Sequence, residues 1–170
     1  MPEGRFDPYG TLAALEAERV SYVVIGAFAR VIEGTDEITH GIDITPSTKE
    51  ENLRRLDSAL DSINAHRVDG SAAGIGSTDF DVERVVELSS DFGEVKVVPV
   101  PEGTRGYDDL RRDVRHEPIG RGLRPPIASL DDLARMLSAL YREQDIPKLM
   151  MTRRLIELEH GRDRGLSHER

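Results

Sequence analysis

Short apolar blocks alternate along this chain with longer stretches in which apolar residues recur every three or four positions. Leu12, Ala14 and Leu15 predict an amphipathic first helix over Tyr9–Arg19. Tyr22-Val-Val-Ile25 predicts a buried strand, and Gly26 ends it. A short helix over Ala27–Glu33 follows, closed by Gly34, and Ile42-Asp-Ile44 forms the next strand before Pro46. Leu53, Leu56, Leu60 and Ile63 mark a helix reaching about Asn64, with Thr48 as its cap and Glu51 in capping-box position.

Further on, Asp69–Thr78 is rich in Gly, Ser and Ala and reads as a loop. Phe80–Ser89 alternates loosely, as a strand or hairpin arm, and Glu94–Val98 alternates better. A short helix is predicted over Asp108–Val114, then an edge strand or turn within Ile119–Ile127, ended by Pro125 and Pro126. Ser129 caps the first of the last helices, and Pro147 is expected to separate Leu133–Tyr141 from Lys148–Glu159. This order predicts an α/β (α+β) class: a small mixed β-sheet packed by helices, with C-terminal helices.

Composition narrows the picture. The 170 residues are 38% hydrophobic and 32% charged, which predicts one domain over 1–170, with a core over about 10–158 and a basic tail over about 159–170. There are no cysteines, so disulfides and thiolate metal sites are excluded. No apolar run is long enough to span a membrane and no signal-peptide pattern opens the chain, so a cytoplasmic location is expected. The formal charge of -9 opposes nonspecific binding to nucleic acid. Against that balance, six arginines and His116 lie between Arg105 and Arg124, partly offset by Asp108, Asp109, Asp113 and Glu117. The end of the chain adds Arg153, Arg154, Arg162, Arg164 and Arg170. Solvated helix faces and a local RNA-binding patch both fit this distribution.

Four pieces occur in a telling order. Val23-Val-Ile-Gly-Ala-Phe-Ala29 precedes Gly34-Thr35 and Thr39-His-Gly-Ile-Asp-Ile44; Gly93-Glu-Val-Lys-Val-Val-Pro99 precedes Gly103-Thr-Arg-Gly-Tyr-Asp-Asp-Leu110. Ala128-Ser-Leu-Asp-Asp-Leu133 and Arg142-Glu-Gln-Asp145 complete the series. Together they resemble the nucleotidyltransferase superfamily, in its minimal, AbiEii/MenT-like toxin branch of bacterial toxin–antitoxin systems. The resemblance covers about residues 10–158.

That resemblance implies two carboxylates on one strand and a third on its neighbour, which hold Mg²⁺ against a nucleoside triphosphate. Two-residue spacing puts the first pair on one strand face. It also implies that Gly26, Ala27, Thr39 and Asp145 lie around the nucleotide. The departures are specific: Gly41 stands at the first carboxylate position, Lys96 at the third, and Leu137 where the branch has a lysine, leaving Asp43. One carboxylate beside an ammonium is a poor site for a hard divalent ion, so no metal site is expected.

Two side-chain arrangements follow from these residues. Asp43 and Lys96 are expected to pair directly in place of the metal, and His40 is a candidate acid–base or phosphate-contacting group beside them. The leading reading is a nucleotidyltransferase-fold protein that binds a nucleotide, an antitoxin or another protein partner without ordinary Mg²⁺-dependent transfer. Three alternatives remain open. One is an active toxin using Mg²⁺ and NTP on tRNA through Asp43, Glu94 and Asp145. Another is a metal-free acid–base enzyme built on Asp43, Lys96 and His40, and the last is an engineered, inactivated toxin.

Overall fold

The computed structural model describes residues 5–168, with side chains as far as Gly165. Arg170 of the basic tail and the first four residues lie outside the described residues. Six strands form one mixed sheet: β1 (Tyr22–Ile25), β2 (Gly41–Pro46), β3 (Val86–Ser90), β4 (Gly93–Val97), β5 (Arg115–His116) and β6 (Pro126–Ile127). Their spatial order is β3-β4-β2-β1-β6-β5. The central pair β1 and β2 is antiparallel, whereas β2 with β4 and β1 with β6 run parallel.

The helices are α1 (Pro8–Ala17), α2 (Gly26–Glu33), α3 (Glu50–Ser62), α4 (Tyr107–Leu110), α5 (Leu130–Leu140) and α6 (Ile146–His168). Helices α1 and α3 pack together, α2 lies on β1 and β2, and α5 pairs with both α2 and α6. The α/β reading and the mixed sheet packed by helices are therefore those of the structure.

Alternation decides the two faces of the central strands. Val24, Ile42, Ile44, Val95 and Val97 are completely buried and share one face. They join Leu12, Leu15, Leu56 and Leu60 in a single core. Burial of each such side chain stabilises the fold by roughly 1.5–3 kcal/mol. The opposite face carries Asp43 and Thr45 of β2 and their partners Lys96 and Val98.

Several local expectations are corrected. Helix α3 begins at Glu50 after Lys49, and neither Thr48 nor Glu51 forms the capping box. Asn52 instead ties the region together, accepting from the Ser21 amide and donating to the Ser21 and Ser47 carbonyls. Of Phe80–Ser89, only Val86 onward is strand; a turn over 80–82 and an irregular stretch precede it. Pro126 lies inside β6 instead of ending the segment, which an edge-proximal two-residue strand tolerates. The expected break between the last two helices is present, after Leu140; Pro147 follows it at the second position of α6, where its missing N–H has no helical acceptor. The helix also runs on through the residues expected to form a tail, to His168. Ser129 does cap α5, accepting from the Asp132 amide at 3.1 Å.

Candidate active site

Asp43 sits at the centre of β2, opposite Ile25 of β1 and Lys96 of β4. Directly after Ile25, Gly26 opens α2 with φ +74, a conformation few other residues adopt. A β-carbon on Gly26 would lie 2.5 Å from Asp43 Oδ2, so the glycine also makes the room that this carboxylate fills. Asp43 is thereby held against the N-terminus of α2. Ala27 is the second residue of that helix, and its N–H is among those without an intrahelical acceptor.

Burial pushes the Asp43 carboxyl above its usual range; Lys96 and Arg30 draw it down, and Glu87 and Glu94 push it up again. The burial effect wins. Among the described residues, Asp43 makes no ion pair.

Lys96 shares the Asp43 face, as the register requires, yet its ammonium pairs with Glu87 Oε1 of β3 at 3.7 Å. The expected direct Asp43–Lys96 pair is therefore corrected. Glu87 is exposed on the outer strand, so pairing with it leaves Lys96 in water, whereas reaching Asp43 would desolvate the ammonium.

Gly41 faces Glu94 across the same two strands. A β-carbon there would lie 2.3 Å from the Glu94 carbonyl oxygen and 2.7 Å from its β-carbon. The strands are thus pinched where the first carboxylate of the resembled motif would stand.

The remaining expected residues are more scattered. Thr39 accepts from the Gly41 amide and donates to the Gly41 carbonyl at 2.9 Å, so its hydroxyl is engaged in a local turn. His40 is exposed and one position out of phase with Asp43, while its carbonyl accepts from the Glu94 amide. By strand alternation, this does not bring the imidazole onto the face of Asp43 and Lys96. Asp145 is almost completely buried at the start of α6, held by Arg142 at 2.6 Å and by Lys148 at 3.7 Å. One of its oxygens, Oδ1, has no hydrogen-bond partner.

Sequence reasoning missed a buried polar group beside the site. Arg30 of α2 donates through Nε and Nη2 to both oxygens of Glu37, at 2.8 and 2.9 Å, and Thr35 donates to the same carboxylate at 2.6 Å. Burial pushes the Glu37 carboxyl up, but these hydrogen bonds and the charges of Arg30 and Lys148 together hold it below its usual range. The available signal was a lone arginine within the apolar stretch Ala27–Ile32, followed by Thr35 and Glu37 just after the helix.

The donor set does not fit the magnesium site that the resemblance implies. Asp43 is the one carboxylate that β2 contributes, an ammonium stands opposite it, and the pinch at Gly41 leaves no space for another. Among the described residues, no group of three His, Asp or Glu side chains converges as a metal site.

Neither a protein-family model nor a curated protein sequence matches the chain. Solved structures do resemble it. One is the crystal structure of a Thermotoga maritima protein assigned to the nucleotidyltransferases, with a TM-score of 0.51 at 18% identity over 86% of this chain and 88% of that one. Another is the solution structure of the antibiotic-resistance factor ANT(2″)-Ia, with a TM-score of 0.50 at 14% identity over 95% and 93% of the two chains. At these identities the likeness shows the fold, and the fold is nucleotidyltransferase-like.

Proposed function

We propose that this protein uses a nucleotidyltransferase-like fold to bind a nucleotide at the Asp43 opening without carrying out ordinary Mg²⁺-dependent nucleotidyl transfer. The observation that carries the reading is the pinch between Gly41 and Glu94, with Lys96 opposite Asp43. A triphosphate approaching here meets one carboxylate whose charge is disfavoured by burial, an exposed ammonium, and the free N–H groups of α2. Such a site attracts phosphate without a metal to neutralise it first. Strand β2 offers no second carboxylate with which to grip a cation. The order of motifs supports kinship with toxin-type nucleotidyltransferases, for which an antitoxin protein is the natural partner and the cytoplasm the natural location.

Calorimetric titration with each NTP, with and without Mg²⁺, tests the reading together with a label-transfer assay on tRNA. Nucleotide affinity is expected to change less than about twofold with Mg²⁺, and no label should transfer. Robust Mg²⁺-dependent transfer would overturn the proposal.

A further inference from the structure

A cavity of about 700 Å³ opens at the end of β1 remote from Gly26. Its volume lies within the usual range for small-molecule sites. Tyr22, at the start of β1, pairs with Pro46, whereas Asp43 pairs with Ile25 three residues further on. The cavity is therefore about 10 Å along the strand from the candidate active site.

The walls are chemically unusual for a protein of net charge -9. Arg19, Arg111, Arg124 and His116 line the cavity, and Glu16 is its one acidic residue. Among the described residues no carboxylate pairs with Arg19 or Arg124, and Arg111 has a long 3.6 Å contact to Asp108 and lies over the Tyr107 ring at 6.0 Å. Arg124 is positioned by its Nε, which donates to the His116 carbonyl at 3.3 Å, leaving its terminal nitrogens for a ligand. The segment between Arg105 and Arg124 is thus not simply a solvated face: the fold brings part of it around a cavity with Arg19.

The inner wall adds a second signal. Tyr22 lines the cavity at 7% exposure, and its hydroxyl has no hydrogen-bond partner among the described residues. Burial and then the charge of nearby Glu16 hold its proton firmly on. With no protein partner, the hydroxyl is open to a ligand's donors and acceptors in the cavity. Tyr22 can donate and accept, Glu16 can accept from sugar hydroxyls, and the arginines can bind phosphate oxygens.

We infer that this cavity is a second binding site, for the phosphate and sugar hydroxyls of a nucleotide, either free or at the 5′ end of an RNA strand. The three arginines take the phosphate, and Glu16 and Tyr22 take the sugar.

The test is fluorescence anisotropy on the full chain with two probes, a fluorescent nucleoside diphosphate and a 3′-labelled, 5′-phosphorylated RNA octamer. At least one probe is expected to bind below millimolar concentration. Arg111→Ala with Arg124→Ala should weaken it at least tenfold and flatten its salt dependence. Tyr22→Phe, which keeps the ring and its packing, should weaken it severalfold. Arg54→Ala on α3, which does not line the cavity, should leave it unchanged. Tighter binding of the diphosphate identifies a free nucleotide, and tighter binding of the octamer identifies a strand end. Failure of both probes to bind, or an affinity undiminished in the double arginine variant, would overturn the inference. Because these arginines are exposed, an unchanged melting temperature is expected to show that each variant is folded.

Discussion

Gly41 and Glu94 are partners across β2 and β4, and their backbones leave no space for a carbon between them. The carbonyl oxygen of Glu94 would stand 2.3 Å from any β-carbon added to Gly41, and backbone cannot swing aside as a flexible side chain can. Strand spacing as well as residue identity therefore keeps a side chain from position 41.

Gly41→Ala is accordingly expected to destabilise the protein by about 1–3 kcal/mol, the usual cost of overpacking, and Gly41→Asp by at least as much. Urea denaturation midpoints check this. Adding Lys96→Asp to Gly41→Asp should not create a melting temperature that rises with Mg²⁺. An unchanged midpoint in Gly41→Ala would mean that the strands separate readily and that a carboxylate fits after all.

Lys96 influences Asp43 by its field and not by contact. Replacing it by Met removes a charge that draws the Asp43 proton off, so the Asp43 carboxyl should titrate at higher pH than in the parent. Carbon-detected NMR of the Asp43 carboxyl reads this directly. The sign for stability follows: a carboxyl whose folded pKa is raised supports the fold at low pH and loses that contribution as pH rises through the folded value. Lys96→Met should therefore be more destabilising at pH 8 than at pH 4. A carboxyl that titrates unchanged would place Lys96 too far away to matter.

The Arg30–Glu37 pair is buried on both sides, with side chains 7% and 6% exposed. Arg30→Ala strands a buried carboxylate and is expected to cost roughly 3–5 kcal/mol, whereas Arg30→Met with Glu37→Leu should recover most of the loss. Because Glu37 is held below its usual range, its contribution is present above the unfolded pKa and disappears as pH falls through the folded one. Chemical denaturation at pH 7 and pH 3 distinguishes the variants: the gap between parent and Arg30→Ala should narrow in acid.

Much of the fold was legible because period alone separates Tyr22–Ile25 from the leucine stripe at Leu53, Leu56 and Leu60. What period could not supply was the partner of each strand. Lys96 was placed correctly opposite Asp43, but its choice of Glu87 depends on β3 lying outside β4, a tertiary fact. A boundary failed at Pro126, which was read as ending its segment but opens β6, whereas Pro147 does follow a break between helices, at a helix start where an amide hydrogen would have no acceptor to lose. Arg30 was passed over because a lone cation in a short helix looks like a surface residue until Glu37 folds back onto it.

Glu33, at the end of α2, gives the sharpest pH prediction. Burial and then the neighbouring charge of Glu117 push its carboxyl from 4.5 up to about 6, despite the opposing charge of Arg115 at 3.7 Å. The native state therefore holds a proton that the unfolded chain releases earlier. The corresponding stability is complete below pH 4.5 and is lost as pH rises through about 6. Glu33→Gln keeps the shape without the charge, and Arg115 retains Glu159 as a partner. The variant should match the parent near pH 4 and exceed it above pH 7 by something on the order of 1 kcal/mol, once screening by solvent is allowed for. Thermal melts across pH 4–8 would show two curves that diverge around pH 6. Parallel curves would mean that Glu33 titrates as it does in the unfolded chain.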